Sequence, residues 1–234
     1  MWFSEKQKSK QVLSVRDVLA WCDFMNVAVH QLKLSNFESL IHGAHLILLD
    51  GLGIGSSTTS AATIKSLRSE AFLKLLELIP EKFRREIMEK EDMQSTQFID
   101  EQNHFGTSLF KVSKGEHKVP FPYSLQAPTT SINALRVLRA LQLRKPVLLE
   151  GSPGVGKTSL ISALASATGH KLVRINLSEH TDLMDLLGTD LPVEGGKPGE
   201  FQWCDGVFLR ALKVFRCYRN SQIDWIGWRL GLVR

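Results

Sequence analysis

The sequence predicts an α/β fold: an incomplete phosphate-loop core preceded by a small all-helical unit. Three observations predict it. Residues 146–177 read as an apolar strand, a glycine loop, an amphipathic helix and a second strand. Residues 14–91 carry helical periodicities and no strand pattern. After the second strand, no four-residue apolar run ending in an acid extends the sheet.

The helical unit begins at "LSVRDVLAWCDFMNVAV", where Ser14 and Asp17 have capping-box spacing. Val15, Val18, Leu19, Cys22 and Met25 then recur at helical spacing. In "NFESLIHGAHLILLDGLG", Phe37, Leu40, Ile41, Ala44 and Leu48 share one face, and Asp50-Gly51 with Gly53 ends the helix. Residues 60–79 form a third periodic segment through Ile64, Leu67, Leu75 and Leu76, and Pro80 opens a charged fourth. Residues 92–122 are polar, weakly periodic and punctuated by Pro120 and Pro122, and read as a linker. "TTSINALRVLRALQL" is a helix with Thr or Ser caps and Ile132, Leu135 and Leu138 inward. "KPVLLEG" is a short buried strand, "KTSLISALASAT" a helix stopped by Gly169, and "KLVRINL" a second strand.

Composition narrows the function. Hydrophobic content of 43% and charged content of 23% are those of an ordinary globular chain. No apolar run approaches the ~20 residues of a membrane helix, and "MWFSEKQKSKQVLS" lacks the apolar centre of a secretory signal. Cys22, Cys204 and Cys217 are odd in number and show no metal spacing, which fits free thiols in a reducing compartment. The net charge is +5, of which Lys213, Arg216, Arg219, Arg229 and Arg234 against Asp224 supply +4. The basic character therefore belongs to the tail, and no Lys/Arg stripe with interleaved aromatics marks a nucleic-acid face.

"GSPGVGKT", Gly151, Ser152, Pro153, Gly154, Val155, Gly156, Lys157 and Thr158, satisfies the phosphate-loop pattern. Glycines let successive backbone N–H groups converge on an anion without Cβ clashes. The helix that follows presents its positive end to the same anion. Lys157 would reach the β- and γ-phosphates of ATP, and the Thr158 hydroxyl would hold Mg²⁺. Hydrolysis needs more: a second strand whose terminal Asp helps to hold the metal and whose following Glu activates water. Downstream of Thr158 no such strand is found. "LILLDG", Leu46 to Gly51, matches superficially, but it continues a helical period, carries Gly51 where Glu belongs and precedes the loop. His104, His117, His170 and His180 have no ligand spacing, so no catalytic residue is assigned.

The stretch from Tyr123 to Leu212, above all "RINLSEHTDLMDLLGTDLPVE", closely resembles an AAA+ module of the midasin family, dynein-related ATPases of large ribosomal subunit assembly. "LSVRDVLAW" and "IHGAHLILLDGLG" resemble that family's module lids. The resemblance implies four segments: a lid-like unit of a preceding module at 1–91, a linker at 92–122, the N-terminal part of an AAA+ module at 123–212 and an atypical basic tail at 213–234. It implies an incomplete AAA+ core, ATP and Mg²⁺ as ligands, nuclear localisation, and other AAA+ modules or pre-ribosomal particles as partners. It places Arg16 where a lid arginine reaches a γ-phosphate. It carries over nothing catalytic, because the Asp-Glu strand, the polar sensor and the arginine finger have no counterpart from Lys213 onward. In the family's sheet order, 5-1-4-3-2, "KPVLLEG" and "KLVRINL" are not neighbours, so both are expected to expose unpaired edges. The alternative is a non-catalytic interaction module that docks onto an AAA+ partner.

Overall fold

The computed structural model describes residues 13–52, 60–93, 97–117, 120–143, 145–197, 199–217 and 232–233. The first half is helical: α1 (Val15–His30), α2 (Asn36–Ala44) running into a π turn (His45–Leu49), α3 (Ala61–Glu77) and α4 (Glu81–Met93). Ser14 caps α1 in a reciprocal box with Asp17, and Ser35 caps α2 in the same way with Glu38. The buried face of α1 differs from the expected one. Trp21, Phe24 and Ala28 turn inward, whereas Val15, Val18, Leu19 and Cys22 are exposed. The shorter α2 meets the later turns of α1, where Gly43 lets the Trp21 indole approach and donate to the Leu40 carbonyl at 3.1 Å.

The segment expected to be a linker holds a small antiparallel sheet, β1 (Ile99–Asp100), β2 (His104–Gly106) and β3 (Lys111–Ser113), in the order β1-β2-β3. Its strands are two or three residues long, too short to show a period of two in sequence. Phe105, Phe110 and Val112 anchor it in the core, and Phe98 stacks on Phe105 at 5.7 Å.

The second half starts with α5 (Pro128–Leu141). Its cap is not the Thr or Ser expected: Ala127 is the N-cap and Pro128 opens the helix, because proline's fixed φ suits the first helical position. Leu138 is fully buried, Leu135 partly so, and Ile132 faces out. Then follow β4 (Leu148–Leu149), α6 (Lys157–Thr168), α7 (Leu183–Leu187), β5 (Gly188–Pro192), β6 (Phe201–Asp205), α8 (Val207–Cys217) and β7 (Leu232–Val233). β5 and β6 form an antiparallel hairpin.

Two strand expectations are corrected. β4 is not left unpaired: β7 lies parallel to it, with Leu148 opposite Leu232. "KLVRINL", 171–177, is not assigned as a strand, since a strand exists through its ladder and no described neighbour supplies one. Of the basic tail, residues 218–231 and 234 lie outside the described residues.

Two apolar cores hold the molecule. One lies within the helical unit, where Ile41, Leu49, Ala71, Leu75, Ile79 and Ile87 meet. The other joins the two halves: Phe24 and Ala28 of α1, Phe110 from the turn between β2 and β3, Leu138 of α5 and Leu164 of α6 pack in one cluster. The helix that begins at the phosphate loop therefore rests on the lid-like helices through continuous packing.

Candidate functional site

The loop between β4 and α6 is built as the glycine spacing requires. Gly154 and Gly156 have φ of +80° and +83°, in the left-handed region that side chains avoid. Gly156 is the N-cap of α6, and its carbonyl accepts from the Leu160 amide at 2.9 Å. The amides of the first helical turn have no carbonyl to reach within the helix. They and the helix dipole constitute the donor set of an anion site. Gly151 to Val155 are exposed, and Gly156, Lys157 and Thr158 are half-buried, so the loop opens to solvent on a firm base.

Lys157 folds over this loop. Its Nζ donates to the carbonyl oxygens of Gly151 at 2.7 Å and Ser152 at 2.9 Å. The ammonium thus sits over the loop, on acceptors that an anionic phosphate, carrying full charge, would outcompete. Thr158 follows in the first turn of α6, where the pattern requires the Mg²⁺-holding hydroxyl. The residues present therefore fit a polyphosphate with its metal.

The far end of α6 is clasped. Thr168 and Gly169 offer carbonyls to the amides of Gly115 and His117 at 2.8 and 2.9 Å, and His170 Nε2 pairs with the Ser113 carbonyl at 2.9 Å. The backbones of Gly115 and Gly169 cross so closely that a Cβ on either would lie 2.4 Å from the other's carbonyl oxygen. No motif in the sequence marks Tyr123 as part of the loop's surroundings. Its hydroxyl lies 3.4 Å from where a Cβ on Gly156 would be, beside the loop. An aromatic one turn before a predicted helix, in "PFPY", was the available signal.

The other candidates fall elsewhere. Arg16 is exposed in the first turn of α1, and no described hydrogen bond or ion pair links it to the loop. Asp50 of "LILLDG" follows a π turn, not a strand, and its carboxylate pairs with Arg136 at 2.9 Å and Arg139 at 3.2 Å. Arg68 donates to the Asp50 and Leu52 carbonyls at 3.0 Å each. Burial and the nearby Arg136 hold the Arg68 guanidinium below its ordinary pKa. This acid is a structural anchor of the helical unit. Among the described residues, no group of three or more His, Cys, Asp or Glu side chains gathers as a metal site, and no helix is long and apolar enough to cross a membrane.

Known proteins share both halves. The family model for the midasin AAA+ ATPase lid domain matches residues 1–50, and that for the ATPase family associated with various cellular activities matches residues 147–191. Midasin of Dictyostelium discoideum is 49% identical over 219 residues, 88% of this chain. Midasin of Giardia intestinalis is 36% identical over 214 residues, 86% of this chain. Lon protease 2 of Myxococcus xanthus is 42% identical over 74 residues, 28% of this chain and 9% of that protein. The chain spans 4% of the length of either midasin.

Proposed function

The chain belongs to the midasin family of AAA+ ATPases as a segment of such a protein, and from that premise we propose that it binds ATP with Mg²⁺ through Gly151–Thr158. The carrying observation is the loop: two left-handed glycines at the head of α6, with the Lys157 ammonium folded onto the carbonyls of Gly151 and Ser152. The backbone amides would hold the β- and γ-phosphates, Lys157 would neutralise them, and the Thr158 hydroxyl would complete the metal's coordination. With Thr158 holding it, Mg²⁺ would supply charge neutralisation to the phosphates. Binding without cleavage by this segment alone is part of the same proposal, and turnover measurements test it. The proposed role, supported only by the family resemblance, is work on pre-ribosomal particles of the large subunit, in the nucleus, among other AAA+ modules. Titration of wild type and Lys157→Ala with ATP and Mg²⁺ tests the site. The variant should bind at least about tenfold more weakly, as loss of a charge-assisted contact implies. Equal affinities would remove the reading, and turnover by wild type above that of the variant would show that cleavage groups lie within the chain.

A further inference from the structure

The hairpin of β5 and β6 presents a face that the nucleotide reading does not use. Asp190 stands opposite Trp203, Pro192 opposite Phe201, and Gly188 opposite Asp205. Directly opposed residues share a face, and alternate residues along a strand do too. One face therefore carries Phe201, Trp203 and Asp205 along β6, beside Pro192 and Asp190 along β5. Trp203 is 50% exposed and Phe201 62%. The opposite face is smaller in apolar area, with Leu191 and Cys204.

The aromatic face is preformed. Trp203 Nε1 donates to Asp205 Oδ1 at 2.9 Å, and the Lys213 ammonium donates to Oδ1 and Oδ2 of that carboxylate at 2.7 and 2.5 Å. The indole lies over Gly188, where a Cβ would meet its ring at 3.0 Å. A ring pinned at its edge and floored by glycine loses little freedom when a partner covers it.

Charge selects the partner. Residues 179–205 contain Glu179, Asp182, Asp185, Asp190, Glu194, Glu200 and Asp205 against Lys197 alone. That is −6 in one short segment, on a chain whose other residues therefore sum to +11 for a total of +5. Asp205 is neutralised by Lys213, so the acid this face offers a partner is Asp190, with Glu194 and Glu200 elsewhere on the hairpin. Aromatic faces bordered by carboxylates attract guanidinium groups, which stack on the ring while donating to the acid.

We propose that the Phe201–Trp203–Asp190 face of the hairpin is a docking surface for a cationic polypeptide segment in which arginines alternate with apolar residues. The arginines stack on Trp203 and Phe201 and donate to Asp190, and the apolar residues cover the aromatic edges.

The test uses the whole chain and a fluorescein-labelled peptide of alternating Arg and Leu, read by anisotropy. Wild type should bind it, and Phe201→Ala and Trp203→Ala should each weaken binding about tenfold. Asp190→Asn should weaken it about threefold, and binding should fall as salt rises. Leu191→Ser on the opposite face and Lys157→Ala in the phosphate loop should leave it unchanged. Trp203→Phe, which keeps an aromatic ring, should retain most binding, and Asp190→Asn carries the test if Trp203→Ala unfolds the hairpin. Unchanged affinity in Phe201→Ala and Asp190→Asn would overturn the proposal. So would a loss in Leu191→Ser as large as in Phe201→Ala, or equal binding of the peptide with Glu in place of Arg.

Discussion

Arg139, inside α5 and only 4% exposed, donates through Nη1 to Asp50 Oδ2 at 3.2 Å, across 89 residues of chain. The bond joins the end of the π turn in the helical unit to the helix that precedes the phosphate-loop strand. Arg139 also lies 5.7 Å from the centre of the Phe110 ring. A guanidinium buried this far needs its counter-charge, because desolvation of an uncompensated ion costs several kcal/mol. Asp50→Ala should therefore destabilise the chain by about 3 kcal/mol or more. Asp50→Leu combined with Arg139→Leu should regain part of that loss, since the most buried guanidinium leaves with its acid while Arg136 and Arg68, only half-buried, remain. Urea denaturation of the three proteins checks this. ATP affinity in Asp50→Asn should match wild type, because the Asp50 carboxylate is committed to Arg136 and Arg139.

The crossing of Gly115 and Gly169 sets a second expectation. Gly169 ends α6 with φ of +66° and passes under the Gly115 carbonyl. Alanine there faces both a left-handed backbone and a clash at 2.4 Å with backbone, which cannot swing aside. Gly169→Ala should cost about 2 kcal/mol or more. Gly115→Ala meets the same clash from the other side and should cost a similar amount. The double variant should lose less than the two single losses together, because one separation of the crossing relieves both. Thermal unfolding midpoints measure it.

These two relationships show where sequence reading succeeds and where it stops. The phosphate loop was legible because every one of its requirements is local: glycines for left-handed φ, a lysine and a threonine at fixed offsets, a strand before and a helix after. Gly169 as the end of α6 and the Ser14–Asp17 box were legible for the same reason. The α1 face was misread because Val15, Val18 and Leu19 satisfy a helical period as well as Trp21, Phe24 and Ala28 do. Only the position of α2 decides between them. The small sheet escaped because its strands are shorter than one full alternation. Local grounds, a continuing helical period and Gly51 after the acid, separate Asp50 from an Asp-Glu strand end, and it follows a π turn. Its actual partners, Arg136 and Arg139, lie too far along the chain for any spacing rule.

The loop glycines allow affinity to be separated from stability. A Cβ on Gly154 would meet nothing within 4 Å, so the whole cost of Gly154→Ala is backbone strain at φ +80°. That strain is about 1–2 kcal/mol, and an exposed loop relieves it by moving out of the left-handed region. The amides would then no longer converge. ATP affinity should fall about 5- to 30-fold, with little change in the unfolding midpoint. Gly51→Ala, where a Cβ also meets nothing within 4 Å, is the control and should bind ATP normally. Isothermal titration alongside thermal unfolding distinguishes the two variants.

The cap of α1 yields a pH dependence whose sign is fixed. The Asp17 carboxylate accepts from the Ser14 hydroxyl at 2.7 Å and from the Ser14 amide at 2.9 Å. The Ser14 side-chain bond, then the backbone bond, hold its pKa below the ordinary aspartate value, with Arg16 adding a smaller pull. A carboxyl whose pKa is lower folded than unfolded stabilises the fold at pH above the unfolded value, about 3.9. That contribution fades as pH falls through the folded value. The stability difference between wild type and Asp17→Asn should therefore be constant near neutral pH and shrink toward zero in acid below about pH 3.9. Ser14→Ala, which also removes the acceptor for the Asp17 amide, should cost about 1 kcal/mol at neutral pH. Urea denaturation across the pH range measures both. A difference for Asp17→Asn that grows on acidification would mean that the carboxylate is not held by Ser14 in solution.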